Sequence, residues 1–504
     1  MSRAAPSGPP LPEGFAVVLD EAARRIDGGS VLVGGAPLTV LRLSEVGARA
    51  VDALAAGTTV PPGGDTNRLA RRLVDLGLAH PRPPPPRCAP PVTVVIPVRD
   101  DPLGLAATLA CLGPVDQVLV VDDGSAEPVA LGPQTAPVRV LRLERSRGPG
   151  GARQVGWEAA TTPTVAFLDA GCRPGARWLD ALLSHLTDPA VAAVAPRVRA
   201  RAGPVTPAWL AAYERARSPL DLGPAPAAVR PRSRVPYVPT AALVVRRSAL
   251  QAVSGFDPGL RFGEDVDLVW RLAAAGWVVR YEPAATASSD ARPSLGALLR
   301  QRFDYGTSAA PLAERHGSAG TPLAVSPWSA AAWGLASLGH PLLGLGVAGA
   351  STAALAPRLG ALRHPWAEAA RMVGGGHLGA GRLVTAACRR SWWPAVALAC
   401  LCWPPARRPA VLAALVPPLL EHRSIRPAVG LPAWMALRLA DDLAYGAGVW
   451  AGAARAHSAA ALLPAWAPGR RDQAGRLRLP AAAAVGRSGR SPGAARSRLY
   501  RFRR

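Results

Sequence analysis

The chain has 504 residues and a formal net charge of +24. Its length predicts two or three domains with a sizeable core, and the spacing of its six cysteines excludes a small scaffold held by disulfides. It contains no lysine, so its 58 basic residues are all arginine, a bias typical of genomic base composition; with no nucleic-acid-binding motif, this charge does not predict a nucleic-acid partner.

Residues 1–12 are rich in proline and lack an apolar run after a charged start. They predict a disordered segment without a cleaved secretory signal. The cysteines have neither CxxC spacing nor a disulfide pattern, which is typical of a reducing compartment. We therefore expect the chain in the cytoplasm or at the cytoplasmic face of the cell membrane.

Residues 13–80 have the pattern of a small α+β module. The runs FAVVLD and SVLVGG flank a turn at Asp27–Gly29 and predict a β-hairpin, and Ser44 is placed as the N-cap of a helix toward Leu54. A second helix is predicted over Asn67–Leu76. This order resembles winged-helix modules that bind the leaders of ribosomally made peptides; a lid or brace for the next domain is the alternative.

A proline-rich linker, residues 81–91, precedes alternating strands and helices in residues 92–320. The strand-like runs are VTVVIPV, QVLVVDD, VRVLRLE and TVAFLDA. The alternation predicts an α/β domain with a mostly parallel sheet. Such sheets bind ligands beyond the carboxyl ends of their strands, and acids follow several of these runs. They are Asp100, Asp101, Asp122, Asp123 and Asp169.

Five motifs resemble those of glycosyltransferase family 2: VTVVIPVRDD, VLVVDDGS, RGPGGARQVGW, FLDAGC and GFDPGLRFGEDVDLVWRL. The resemblance implies a GT-A fold that binds a nucleotide sugar. Carboxylates such as Asp101 and Asp122 can accept the imide N–H of uracil and the ribose hydroxyls, and the Arg153 guanidinium can pair with phosphate oxygens. The implied donor-binding residues are Pro97, Asp101, Asp122, Asp123, Arg153 and Asp169.

The resemblance also implies the acceptor side of the site. Asp265 matches the general base of the family, which would take the proton of the acceptor hydroxyl in a reaction that inverts the anomeric centre. Glu264 stands beside it at the start of a predicted helix, and Trp270 and Arg271 are expected to contact the acceptor. Acids in a first helical turn also complement the helix dipole, which is the structural alternative.

The implied metal site lacks typical ligands. The family carries a second acid two positions after Asp169, where this chain has Gly171, and histidines where it has Ser289 and Ala291. Asp290 lies in that second segment. We therefore assign Asp169 as the ligand of a weakly bound Mg²⁺ or Mn²⁺, with phosphate and water oxygens completing the coordination.

Two signatures narrow the resemblance to the glycosyltransferases of the mycofactocin system: YGTSAAPLAERH, residues 305–316, and DDLAYGAGVW, residues 441–450. They imply transfer of glucose from a UDP-sugar to a peptide-derived precursor of a redox cofactor, and extension of an oligoglucan. A membrane-associated polysaccharide glycosyltransferase and a noncatalytic nucleotide-sugar binder are the alternatives. The first lacks a QxxRW motif, and the second would not need Asp265.

Residues 321–460 are apolar and rich in alanine. Trp328–Ala356 carries no formal charge and exceeds the roughly 20 residues that cross a bilayer, although Pro341 interrupts it. A span, an interfacial position and a soluble helical cap are all compatible with this pattern, and flanking arginines favour contact with a membrane surface. Residues 461–504 form a basic tail that is predicted to be disordered.

Overall fold

The computed structural model describes residues 8–86, 88, 90–131 and 137–466. The two segments predicted to be disordered fall largely on residues 1–7 and 467–504, outside this range. Within it, Leu11 is buried and its backbone N–H donates to Asn67 Oδ1 at 2.8 Å. Residues 8–12 therefore belong to the first folded unit rather than to a disordered segment.

The N-terminal unit packs its strands and helices around one core. Its elements are β1 (Ala16–Leu19), β2 (Arg24–Ile26), β3 (Val31–Gly34), β4 (Thr39–Arg42), α1 (Glu45–Ala55), α2 (Gly64–Asp75) and β5 (Ala79–Arg82). The helix start at Ser44 is confirmed, because Ser44 Oγ accepts the Gly47 N–H. The predicted hairpin is wrong: β2 and β3 flank the turn, while β1 pairs with the distant β5. Phe15 and Val17 pack in the same core as Leu73 of α2, which draws β1 away from β3.

The central domain alternates strands and helices. Its elements are β6 (Val92–Val98), α3 (Pro102–Ala110), β7 (Gln117–Asp122), β8 (Val138–Arg142), α4 (Gly148–Ala159), β9 (Thr164–Leu168), β10 (Cys172–Pro174), α5 (Trp178–His185), β11 (Val191–Arg201), α6 (Ala208–Arg217), β12 (Ala227–Val229), β13 (Ala242–Arg246), α7 (Arg247–Ala252), α8 (Glu264–Ala274), β14 (Val278–Asp290), α9 (Leu295–Thr307) and α10 (Ala309–His316). In the described part of the chain its strands form one nine-stranded sheet. The sheet has the order β10-β14-β11-β13-β9-β6-β7-β8, and β12 pairs with β14.

This sheet confirms the α/β class but is mixed rather than mostly parallel. Strands β6 to β9 pair in parallel, as the alternation of strands with helical or loop segments predicted, and so do β11 and β14. Strand β13 runs antiparallel to both β9 and β11, and β10 and β12 run antiparallel to β14. The acids that follow β6, β7 and β9 consequently meet at one edge of the sheet.

Helices cover both faces of this sheet. One core contains side chains of α4, α7 and α8, including Trp157, Leu250 and Leu268. The other contains side chains of α3 and α5, including Leu105 and Leu182. Burial on both faces explains why β6, β7 and β9 are continuous apolar runs that end where a polar residue reaches the edge of the sheet.

The C-terminal region is helical. Its elements are β15 (Ala324–Val325), α11 (Pro327–Ser337), α12 (Pro341–Leu355), α13 (Pro365–Arg390), α14 (Trp393–Cys402), α15 (Arg407–Ile425), α16 (Leu431–Arg455) and β16 (Ala465–Trp466). The uncharged run of the sequence is thus two helices, α11 and α12. By length and composition, the stretch Pro341–Leu359 is apolar enough to cross a membrane, and most of it is not buried inside the protein.

Helix α16 fastens this region to the central domain. A Cβ on Gly448 would lie 2.0 Å from the Phe303 carbonyl oxygen of α9, so the two helices can approach this closely only with glycine at that position. Asp441 accepts hydrogen bonds from Arg302 Nε at 2.9 Å and from Tyr213 Oη at 2.8 Å. The DDLAYGAGVW signature therefore has a packing role: it holds α9 in place.

The N-terminal unit contacts both other regions. Arg71 pairs with Asp188 of the central domain at 2.6 Å, and both side chains are buried. Arg24 pairs with Glu368 of α13 at 2.6 Å. These contacts are those of a brace, and peptide binding by this unit stays a prediction.

Candidate active site

Three acids and one arginine meet where β9 ends and α8 begins. Arg153 of α4 is 3% exposed and donates to Asp169 Oδ1 at 2.5 Å and to Glu264 Oε1 at 2.8 Å. Asp265 is the next residue of α8. The site is thus assembled from three elements that lie far apart in the sequence.

Local sequence explains how α4 comes so close to α8. A Cβ on Gly150 would lie 3.2 Å from Glu264 Cβ and Cγ, tighter than ordinary van der Waals contact. Glycine at this position therefore brings Arg153, one helical turn later, within reach of both carboxylates. Within the RGPGGAR motif, Gly150 therefore serves the packing of α4 against α8.

Arg153 was predicted to bind phosphate, and the structure gives its guanidinium two carboxylate partners instead. Burial alone would lower the pKa of Arg153, but the charges of Asp169 and Glu264 outweigh burial and raise it. The guanidinium stays charged and fixed. Its position is better suited to holding the two acids than to moving toward a ligand.

The Asp265 carboxylate is partly buried and lies near the negative charges of Glu264 and Asp169. Burial and, second to it, the nearby Glu264 charge raise the pKa of Asp265 to about 7, against the opposing effects of the Val266 N–H and Arg153. A carboxylate with a pKa near neutrality can exchange a proton at physiological pH. Of the predicted site residues, Asp265 is the one whose chemistry is tuned for proton transfer.

Two tyrosines near Asp265 were not predicted as site residues. Burial raises the pKa of Tyr237, and the charge of Asp265 adds to the rise. Burial also raises the pKa of Tyr305 to about 12, and Asp265 again contributes. Tyr305 Oη accepts a hydrogen bond from Gln301 Nε2 at 2.9 Å. Tyr305 opens the YGTSAAPLAERH signature, and that position was the signal available in the sequence.

Asp101 lies at the same sheet edge as Asp169. It is exposed and caps α3, since its Oδ1 accepts the Gly104 N–H at 2.8 Å. Its other carboxylate oxygen would lie 3.9 Å from a Cβ built on Gly171. The structure therefore brings together the ends of β6 and β9, as a nucleotide-sugar site requires.

Asp122 and Asp123 have partners within the protein. Asp122 is fully buried and accepts the Ser125 N–H at 2.9 Å and an Arg142 N–H at 2.6 Å. Burial alone would raise the pKa of Asp122, but these hydrogen bonds lower it. A nucleotide sugar could reach the Asp122 oxygens only by displacing Ser125 and Arg142 from them. The predicted contact of Asp122 with uracil or ribose is therefore not supported.

Asp123 is also buried and fixes the loop before α4. It accepts hydrogen bonds from Ser146 Oγ, the Arg147 N–H and the Gly148 N–H, at 2.7, 2.6 and 3.0 Å. Pro97, the remaining donor-side prediction, is partly buried within β6 opposite Val121. Neither position shows a side-chain donor or acceptor directed at a ligand.

Trp270 and Arg271 were predicted to bind the acceptor, and both are occupied within the fold. Trp270 is buried and donates to the Pro236 carbonyl at 2.9 Å. Arg271 pairs with the buried Asp267 at 2.7 Å and donates to the Gly255 carbonyl at 2.6 Å. These contacts stabilise α8 and occupy the polar groups of Trp270 and Arg271, so neither side chain is free to bind an acceptor.

The described residues contain no group of three or more histidine, cysteine, aspartate or glutamate side chains that could hold a metal. Asp169 is 37% exposed, with one oxygen held by Arg153. Asp290 pairs with Arg173 at 2.7 Å and with Arg201 at 3.2 Å, so a guanidinium already fills its neighbourhood. The residues fit a cation only through Asp169, with ligand oxygens supplying the rest.

Comparison with known proteins agrees with this arrangement. Residues 93–252 match the model of glycosyl transferase family 2. A pre-mycofactocin glycosyltransferase of Mycobacterium tuberculosis is 40% identical over 90% of this chain and 98% of its own length. An uncharacterised glycosyltransferase of Mycobacterium bovis is 34% identical over 42% of this chain and 95% of its own length.

Among solved structures, a mannosyltransferase from Pyrobaculum calidifontis in complex with GDP-mannose and Mn²⁺ aligns with 73% of this chain and 89% of its own. Its TM-score of 0.40 and 17% identity are too low to support an inference about ligands. The sequence relationship is decisive, because the M. tuberculosis relative is matched almost from end to end. The chain belongs to glycosyltransferase family 2 and, within it, to the pre-mycofactocin glycosyltransferases.

Proposed function

We propose that this protein transfers glucose from UDP-glucose to pre-mycofactocin and then adds further glucose residues to build an oligoglucan. The observation that carries the proposal is Asp265, a carboxylate with a pKa near neutrality beside the fixed Arg153, Asp169 and Glu264 cluster. The acceptor assignment is supported by the similarity to the pre-mycofactocin glycosyltransferase of M. tuberculosis.

Asp265 acts as the general base. Its carboxylate takes the proton of the acceptor hydroxyl while the hydroxyl oxygen attacks the anomeric carbon of the donor. The bond from that carbon to the diphosphate oxygen breaks, and UDP leaves with the electron pair. Attack opposite the leaving group inverts the anomeric centre.

The neighbouring residues position the reactants. Arg153 pairs with Asp169 and Glu264, and its charge limits the rise in the pKa of Asp265. A divalent cation held by Asp169 would add positive charge beside the diphosphate when bound. Because Asp169 is its only protein carboxylate in this arrangement, we expect the cation to bind weakly without the nucleotide.

Purified protein with UDP-glucose and pre-mycofactocin tests the proposal. Mass spectrometry should show acceptor masses raised by one or more hexose units, with UDP released in equal amount. UDP-galactose and GDP-mannose serve as donor controls. Release of UDP without any hexose on the acceptor would contradict the acceptor assignment, and no release at all would favour a noncatalytic binder.

We also propose that the protein works at the cytoplasmic face of a membrane. Three of the C-terminal helices expose large apolar side chains. They are Leu342, Leu343 and Leu345 of α12, Leu398 and Leu401 of α14, and Val411, Leu412 and Leu415 of α15. Exposed leucines and valines in this number favour contact with the apolar part of a membrane, and exposed arginines such as Arg358 and Arg408 could meet anionic lipid. Sedimentation with phosphatidylglycerol vesicles, lost in a Leu342→Glu, Leu345→Glu variant, is the expected result.

A further inference from the structure

A cavity lies beside the helix that carries Asp265. It measures about 770 Å³ and is bounded by the loop before α8, one face of α9 and the end of α16. Its lining includes Arg261, Phe262, Arg300, Phe303, Asp304 and Arg455. None of these residues takes part in the Arg153 cluster, so the cavity is separate from the groups assigned to the donor.

The arginines of this cavity lack carboxylate partners. Arg261, Arg300 and Arg455 are exposed, and none forms an ion pair with another described residue. Arg153, Arg173 and Arg271, by contrast, all pair with acids. Three unpaired guanidinium groups around one opening favour a ligand rich in carbonyl or carboxylate oxygens.

The remaining lining residues restrict the ligand further. The Phe262 and Phe303 rings offer apolar surface, and Arg261 lies over the Phe262 ring at 5.7 Å from its centroid. A planar aromatic group could stack in such surroundings, against the rings or the guanidinium groups. Asp304 needs a hydrogen-bond donor and repels a bare phosphate. A lipid phosphate therefore fits less well than an aromatic molecule that carries both N–H or O–H donors and carbonyl oxygens.

The cavity is also close to the reacting groups. Phe262 precedes Asp265 by three residues, so their Cα atoms are at most about 11 Å apart. Helix α9 contributes Phe303 and Asp304 to the cavity, while Tyr305 of the same helix is near enough to feel the charge of Asp265. An acceptor held in the cavity would therefore have to extend over about this distance to bring a hydroxyl to Asp265.

We propose that this cavity binds the aromatic, non-sugar end of the glycosyl acceptor and keeps it there while sugars are added at the base. The inference rests on the proposed transfer to a peptide-derived acceptor. An anchor away from Asp265 would let the acceptor hydroxyl, and later the terminal sugar hydroxyl, reach the same carboxylate.

Steady-state kinetics with pre-mycofactocin test the anchor. Arg300→Ala and Arg455→Ala should each raise the acceptor KM roughly tenfold or more, as expected for a lost charge-assisted hydrogen bond, with little change in kcat or in the KM for UDP-glucose. Arg300→Lys should recover part of the loss. Arg139→Ala is the matched control, because Arg139 is exposed on the remote strand β8.

Separate outcomes would overturn this inference and the proposed function. If the wild type glucosylates pre-mycofactocin but both variants keep its KM, the cavity does not hold the acceptor and the proposed function stands. If the wild type glucosylates nothing, the proposed function is wrong, and the acceptor anchor that rests on it is wrong as well. Variants that lose binding to phosphatidylglycerol vesicles while keeping the acceptor KM would identify the cavity as a lipid site and overturn the acceptor anchor.

Discussion

Replacing Arg153 by alanine should destabilise the protein and shift its pH dependence. The substitution leaves Glu264, which is 7% exposed, without its partner, and removing one member of a buried pair costs about 3–5 kcal/mol. Asp169 is 37% exposed, so water can take the place of Arg153 beside it. The loss of this second ion pair therefore contributes little to the destabilisation. We therefore expect the free energy of unfolding to fall by about 3 kcal/mol, the lower end of that range.

The same substitution acts on the base. Arg153 lowers the pKa of Asp265, so its removal should raise that pKa above about 7 and move the acidic limb of the pH profile of kcat/KM to higher pH. Arg153→Lys keeps one positive charge but cannot bridge two carboxylates as a planar guanidinium does. The acidic limb of its pH profile should therefore lie between those of the wild type and Arg153→Ala.

Urea unfolding followed by circular dichroism, and kcat/KM from pH 5 to 9, measure the two effects. Arg139→Ala again serves as the control, since substitutions of exposed residues usually change stability by less than about 0.5 kcal/mol. If Arg153→Ala unfolds at the same urea concentration as the control and keeps the wild-type pH profile, the cluster does not hold the site together.

Further predictions concern the base and the missing acid. Asp265→Asn should preserve UDP binding, measured by calorimetry, and lower kcat roughly 10²-fold or more, because the amide cannot accept the proton; near-normal turnover would remove this role. In the wild type, kcat/KM should rise with pH through about 7 as Asp265 loses its proton, and an acidic limb near pH 4 would show that another group is the base. Gly171 has φ +82°, so both Gly171→Asp and Gly171→Asn should cost about 1–3 kcal/mol in stability. Only the aspartate should lower the Mn²⁺ concentration needed for half-maximal turnover, and equal Mn²⁺ titrations for both variants would show that the added carboxylate does not reach the cation.

Much of the fold followed from local patterns in the sequence. The runs at β6, β7 and β9 were recognisable because buried parallel strands are continuous apolar segments that end in polar residues. The start of α8 at Glu264 and the Ser44 cap were equally local. Each of these predictions needed only a few neighbouring residues.

Long-range pairing decided what the local patterns could not. Strand β1 pairs with β5 across the whole N-terminal unit, and β13 enters the sheet antiparallel between β9 and β11. Strand partners depend on which apolar faces must be buried together, and neighbouring residues do not specify this.

The roles of the site residues were likewise settled by tertiary contacts. The sequence placed Asp122 and Asp169 in equivalent positions at strand ends, yet Asp122 is fully buried against Arg142 while Asp169 is partly exposed. Arg153 and Glu264 are 111 residues apart and meet at 2.8 Å. The sequence thus determined which charged groups the chain offers at the sheet edge. Only the tertiary structure decided which of them are satisfied within the protein and which face a ligand, because burial and hydrogen-bond partners arise from segments that are distant in the chain.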